Sequence, residues 1–147
     1  MGYIRNLKYW GAVLLWMLFI FWMSTGTFSA QNTSLIIAPI LRFFMPSISL
    51  EKVDIIHGVI RKLGHMSEYF ILGILLFRSF RGGSKELFKL RWAFFSFLVV
   101  MVYAAGDEFH QSFVPTRTPS LTDVGIDTLG GALAQGVSVL WRLSRWQ

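Results

Sequence analysis

Ionisable and amide side chains are concentrated in three short stretches of the chain, each beside an apolar run. They are Lys62, His65 and Glu68, then Asp107, Glu108, His110 and Gln111, and finally Arg117, Asp123 and Asp127. Imidazoles and carboxylates can transfer protons or bind cations, whereas guanidinium and ammonium groups bind phosphates and carboxylates. These ten side chains are therefore the candidate site residues.

The residue types divide the ten into two roles. The candidate acid/base (catalytic) residues are His65, Glu68, Asp107, Glu108 and His110, and the candidate ligand-binding residues are Lys62, Gln111, Arg117, Asp123 and Asp127. His65 with Glu68, and Asp107 with His110, are i, i+3 pairs, a spacing at which one helix offers two ligands to a metal. A divalent metal is therefore a possible cofactor, with those four residues as its candidate ligands.

Composition indicates a membrane protein. Of 147 residues, 54% are hydrophobic, and the mean hydropathy is +0.52, too apolar for the surface of a soluble domain of this length. The net charge of +6 does not by itself indicate a nucleic-acid ligand, because basic residues normally flank membrane spans. The absence of cysteine excludes disulfides and thiolate metal sites.

Four stretches have about the length and apolar character that a helix needs to cross roughly 30 Å of hydrocarbon. They are residues 9–28, 58–80, 91–111 and 120–141. Residues 34–45 are too short to cross and contain a proline and an arginine, which predicts an interfacial or re-entrant segment. The predicted fold is an all-α membrane protein, a four-transmembrane-helix bundle that forms a single domain over residues 1–147.

Basic residues are divided unequally between the two sides of the predicted spans. The N-terminus, the connection at Gly82–Gly83 and the C-terminus hold nine basic residues and one acid, whereas the other connections and their helix ends hold five basic residues and seven acids. The basic side of a multi-pass protein is normally cytoplasmic. This predicts cytoplasmic termini, with all three polar stretches at the extracytoplasmic side.

The spacing of the polar residues predicts one polar stripe on each helix. At 100° per residue, Lys62, His65 and Glu68 share a face, and so do the main candidates of the other two stretches. Turning the three stripes inward is the least costly arrangement in hydrocarbon. Small residues predict close packing of the last span; they are Gly130, Gly131, Ala132, Ala134 and Gly136.

Three features also have purely structural interpretations. His57 is predicted to lie in a loop, and Arg61 to extend its side chain toward the membrane interface. Ser120 and Asp123 have the spacing of a capping box, with aspartate in place of glutamate.

Two blocks of sequence resemble the signature motifs of the VanZ-like membrane proteins. The first is Lys-x-x-His-x-x-Glu-aromatic at Lys62–Tyr69. The second is Asp-Glu-x-x-Gln-x-Phe at Asp107–Phe113, followed by Arg117, Asp123 and a glycine-rich helix. The resemblance covers residues 61–136 and departs at Asp127, where many relatives carry asparagine. It implies a small multi-span protein of the bacterial cytoplasmic membrane, linked to low-level teicoplanin resistance.

Several functions remain open at this point. The polar cluster could bind or process a lipid-linked or cell-envelope ligand, such as a cell-wall precursor or a glycopeptide. It could instead form a divalent-metal-dependent hydrolase, or pin the helices of an assembly factor through salt bridges such as Lys62–Glu68 and Arg117–Asp123. Transport would require oligomerisation, because four spans leave little room for a pathway.

Overall fold

The computed structural model describes residues 2–82, 84, 86 and 88–143, and all regular structure among them is helical. The helices are α1 (Gly2–Met23), α2 (Ala30–Phe44), α3 (Leu50–Arg81), α4 (Leu90–Gln111) and α5 (Leu121–Leu143), with a 3-10 turn at Gly26–Phe28. The predicted all-α class is confirmed for this part of the chain.

The number of membrane crossings stays a prediction. Among the described residues, α4 alone has by itself the length and apolar composition of a span, with a mean hydropathy of 1.4 over its best window. Lys8–Met23 and Gly26–Phe44 qualify together as one broken span or a re-entrant pair, bent by 63°. Charged and small residues dilute the apolar content of α3 and α5, so composition does not establish the four-span bundle.

Helix α3 begins eight residues before the predicted span at 58–80. The Ser49 side chain accepts a hydrogen bond from the Lys52 backbone N–H at 3.4 Å, which caps the helix at Leu50. His57 therefore lies inside α3, not in a loop, and its buried Nε2 is 2.9 Å from Thr33 Oγ1 of α2. The helix ends at Arg81 and is followed by Gly82, whose φ of 56° is the left-handed conformation that glycine adopts without strain.

The predicted first span, residues 9–28, is interrupted. Helix α1 ends at Met23, and the chain turns through the 3-10 segment before Ser29 caps α2 by accepting from the Asn32 N–H at 3.4 Å. Helix α2 consequently begins at Ala30 rather than at residue 34. The serine, threonine and glycine residues of this connection favour such a turn over a continuous helix.

The most extensive helix contact is that between α3 and α5, and glycines make it close. A Cβ added at Gly130 would overlap the Met66 carbonyl oxygen, and one added at Gly73 would lie 2.7 Å from the Ala134 Cβ. The predicted close packing of α5 is therefore observed at Gly130 and Ala134. Gly136, in contrast, has no heavy atom within 4 Å of the position of an added Cβ.

Helix α1 is attached to the rest of the bundle by side chains that donate hydrogen bonds to backbone carbonyls. These bonds are Trp16 Nε1 to Glu68 O (2.9 Å), Tyr103 Oη to Met17 O (2.6 Å) and Ser79 Oγ to Tyr9 O (3.1 Å). The apolar core between the helices contains Val13, Ile20, Tyr69, Leu72, Leu76, Val100 and Ala104. Both kinds of contact position α3 and α4 relative to α1.

We expect Gly130→Ala to destabilise the folded chain by about 1–3 kcal/mol, because the added methyl forces α3 and α5 apart at a backbone contact. The measurement is the thermal unfolding midpoint of purified protein in detergent. Gly136→Ala on the same helix is the control, and it should leave the midpoint unchanged or raise it slightly because alanine is the better helix former. Equal losses in the two variants would contradict the prediction.

Candidate functional site

A cleft of about 120 Å³ opens between α3 and α5. Its charged and polar lining consists of Arg61, Lys62 and His65 from α3 and Asp123 from α5. Three of these four side chains are candidates from the sequence, and helical spacing explains why α3 presents Arg61 and His65 together, since they are one turn apart. The cleft is narrow and carries two permanent positive charges at its wall.

Asp127 lies behind the cleft and is fully buried. Its Oδ1 is 3.7 Å from His65 Nδ1, an ion-pair distance that is too long for a direct hydrogen bond. Neither carboxylate oxygen has a hydrogen-bond partner, and neither does His65 Nδ1. A buried polar group without a partner costs about 1–3 kcal/mol, and more when it is charged, so Asp127 is held in an environment that stability alone does not favour.

Further acidic and phenolic groups surround Asp127 in the interior. Glu68 interacts electrostatically with His65, Asp127 and Asp107. Tyr69 is fully buried and its hydroxyl lacks a hydrogen-bond partner. The predicted convergence of α3, α4 and α5 side chains is therefore observed for these groups.

Glu108 caps α5 from a different helix. Its Oε2 accepts a hydrogen bond from the Ser120 backbone N–H at 2.7 Å, while Ser120 Oγ accepts from the Thr122 N–H at 3.1 Å. The prediction that Asp123 forms a capping box with Ser120 is therefore wrong. The carboxylate that accepts the Ser120 N–H belongs to Glu108 of α4. Asp123 instead lines the cleft.

Arg117 binds the carboxyl end of α1. Its Nε and Nη2 donate to Thr25 O at 3.1 and 2.8 Å, and Nη2 also donates to Met23 O. The last carbonyls of a helix lack partners within the helix and carry partial negative charge, so a guanidinium is well suited to them. Burial lowers the pKa of Arg117 from its ordinary value, and nearby Arg61 lowers that pKa further. Arg117 nevertheless remains protonated, as arginine does in proteins.

Three further candidates, Asp107, His110 and Gln111, do not line the cleft. Gln111 Nε2 donates to Asp107 Oδ2 at 3.0 Å, so these two buried side chains satisfy each other within α4. His110 packs its ring 4.6 Å from that of Phe21 and lines a groove between α1 and α4. The two histidines of the predicted cluster, His65 and His110, thus line different surfaces.

Arg61 is the site residue that the sequence interpretation missed. It is half-buried, lines the cleft beside Asp123, and donates through Nη1 to Phe28 O at 3.4 Å. A signal existed in its spacing, because Arg61 lies four residues before His65 and therefore on the same face of α3.

Two predicted arrangements are not found within the described part of the chain. The ion pairs there are His65–Asp127 and Lys89–Glu86, not Lys62–Glu68 or Arg117–Asp123. Among all the described residues, histidine and carboxylate side chains form no group of three or more that could hold a metal ion. His110 is separated from the proposed partner His65, which removes one of the four candidate ligands from the cluster.

The sequence model of one family, described as VanZ/LLP1, matches residues 9–142. The match extends well beyond the two motifs at either end and includes α2 and the part of α1 from residue 9 onward. No curated protein and no solved structure matches the chain.

We expect Glu108→Ala to destabilise the chain by about 1–2 kcal/mol, because α5 loses the acceptor for its Ser120 N–H. Glu108→Gln keeps an acceptor oxygen at that position and should retain most of the stability. Thermal unfolding in detergent compares the two variants, with Glu51→Ala as the control because Glu51 is exposed. Equal destabilisation by alanine and glutamine would show that charge, not the cap, is the contribution of Glu108.

Proposed function

The chain belongs to the VanZ/LLP1 family, and from this premise we propose that it is a multi-pass membrane protein whose cleft binds the anionic group of a lipid-linked or cell-envelope ligand. The observation that carries the proposal is the cleft of Arg61, Lys62, His65 and Asp123 with the unpartnered Asp127 behind it. Ionisable groups that face the interior of a membrane bundle are costly, and they mark ligand or ion sites.

The size of the cleft limits what it can hold. A volume of 120 Å³ is well below the roughly 300–1,000 Å³ of pockets that enclose a whole drug-sized molecule. The cleft therefore fits a phosphate or carboxylate headgroup, while the rest of an amphiphilic ligand stays in the bilayer. Arg61 supplies a planar fork of donors for such a group, and Lys62 a compact positive charge.

Charge distribution supports an extracytoplasmic position for this cleft. Arg78 and Arg81 lie at the opposite end of α3, within the basic side of the chain that the positive-inside rule assigns to the cytoplasm. Helix α2 diverges from α1 by 63° and exposes Leu35, Ile36, Ile40 and Phe43, as a helix at the outer interface would. A ligand of the outer leaflet or the cell wall would reach the cleft from this side.

His65 is the acid/base candidate of the cleft. It lines the cleft with part of its ring exposed, while its Nδ1 faces the buried Asp127 carboxylate. A carboxylate behind an imidazole orients the ring and stabilises its protonated form. In that arrangement His65 contacts the ligand and Asp127 acts as its positioning residue.

We expect Lys62→Gln and Arg61→Gln each to weaken binding of a polyprenyl phosphate by about tenfold or more, because each removes a charge-assisted contact of about 1.5–3 kcal/mol. Binding is measured by titration of the purified chain in nanodiscs. Lys52→Gln is the control, because Lys52 is an exposed lysine of the same helix outside the cleft. Lys62 is also exposed, so its variant should unfold at the wild-type midpoint.

The same variants test the link to glycopeptide resistance. Expression of the wild-type chain in a susceptible bacterium should raise the teicoplanin concentration that stops growth, and Lys62→Gln should abolish that gain while Lys52→Gln retains it.

The lipid titration decides the binding proposal itself. Unchanged affinity for the polyprenyl phosphate in both Lys62→Gln and Arg61→Gln would overturn it.

A structural or assembly function is the second candidate, favoured by the use of Arg117 and Glu108 to hold backbone groups. We expect the swapped double variant His65→Asp with Asp127→His to discriminate, because it preserves an ion pair between α3 and α5 but removes the imidazole from the cleft. The single variant His65→Ala is the comparison, and ligand binding should be lost in both it and the swapped variant. Recovery of function in the swapped variant but not in His65→Ala would favour the structural candidate.

A further inference from the structure

A second cavity lies at the other end of the bundle, where α1, α3 and α5 meet. It has a volume of about 440 Å³, and its lining includes Tyr9, Ile74, Phe77, Arg78, Arg81 and Val137. A hollow of about 280 Å³ adjoins it and shares Tyr9 and Arg78, with Lys8, Ala12 and Leu75 completing its wall. Thirteen residues of α3 separate Arg78 from His65, which places this cavity about 20 Å from the cleft.

Three cations line these two hollows: Arg78 and Arg81 line the cavity, and Lys8 lines the adjoining hollow together with Arg78. Lys8 belongs to α1, and Arg78 and Arg81 belong to the last turn of α3. No described lining residue is acidic, and among the described residues the side chains of Lys8 and Arg78 have no ion-pair partner. The nearby acid Glu86 is already paired with Lys89, its Oε1 being 2.7 Å from Lys89 Nζ.

The guanidinium of Arg81 uses only part of its hydrogen-bonding capacity among the described residues. Its Nε donates to Glu86 O at 3.2 Å, which uses one of the five donor hydrogens of the guanidinium. The floor of the cavity is apolar and includes Ile74, Phe77 and Val137. Positive charge at the rim above an apolar floor complements an amphiphile with an anionic head.

We propose that this cavity binds the phosphate headgroup of an anionic phospholipid, with the start of its acyl chains against the apolar floor. Two lines of reasoning select a lipid over a free anion. The apolar floor offers nothing to inorganic phosphate, and the basic side of the chain is the side expected to face the cytoplasmic leaflet, which is rich in anionic lipid. The site is independent of the function proposed for the cleft.

The test compares phosphatidylglycerol with phosphatidylcholine of identical acyl chains, titrated against the purified full-length chain and counted by native mass spectrometry. We expect tighter binding of phosphatidylglycerol, weakened about tenfold or more in Lys8→Gln/Arg78→Gln, since each cation near an anionic membrane surface contributes measurably to binding. The matched control is Arg42→Gln/Lys52→Gln, which removes two exposed cations outside the cavity and should bind phosphatidylglycerol as the wild type does.

Three results would overturn the proposal. These are equal affinity for the two lipids, an unchanged phosphatidylglycerol affinity in Lys8→Gln/Arg78→Gln, and competition by inorganic phosphate at the concentration that phosphatidylglycerol requires.

Should the double variant unfold at a lower temperature in phosphatidylcholine, the charge-conserving Lys8→Arg/Arg78→Lys replaces it. That variant should keep phosphatidylglycerol binding, and its loss would contradict the proposal. Lys62→Gln in the cleft should leave this lipid affinity unchanged.

Discussion

The close backbone contact between α3 and α5 at Gly130 and Met66 is the constraint on which the rest of the structure depends. A glycine hydrogen is all that fits against the Met66 carbonyl oxygen. Asp127 lies one turn before Gly130, and His65 is the neighbour of Met66, so this contact determines the 3.7 Å between the imidazole and the carboxylate. Close packing of small residues is also the interaction that holds helices together in a hydrocarbon environment, where hydrophobic association contributes little.

The buried polar groups fall into two classes that burial alone does not distinguish. Arg117 and Glu108 have backbone partners, because they satisfy the carboxyl end of α1 and the amino end of α5. Asp127 and Tyr69 are fully buried, and neither the Asp127 oxygens nor the Tyr69 hydroxyl has a hydrogen-bond partner, whereas Glu108 leaves only its Oε1 without one. Since unpartnered burial is costly, groups of the second class are the ones that function is expected to explain.

Helix α3 connects the two proposed binding regions. Its 32 residues extend about 48 Å, which is longer than a hydrocarbon layer of about 30 Å. Arg61, Lys62 and His65 line the cleft on one part of the helix, and Arg78 lines the basic cavity near its end. A single helix therefore carries cationic side chains at two levels, with an apolar core of residues such as Leu72 between them.

The sequence by itself determined the helical class, the shared face of Lys62 and His65, and the small residues that let α5 pack closely. These follow from the rise and rotation of a helix, which act between residues three or four positions apart. Only the tertiary structure decided that Glu108 rather than Asp123 caps α5, that Arg117 binds α1, and that Arg61 lines the cleft. Each of these contacts joins different helices or segments. Such a contact depends on how far each helix is shifted along its axis and rotated about it. Packing between the helices sets these two quantities, whereas the spacing of residues within one helix does not encode them.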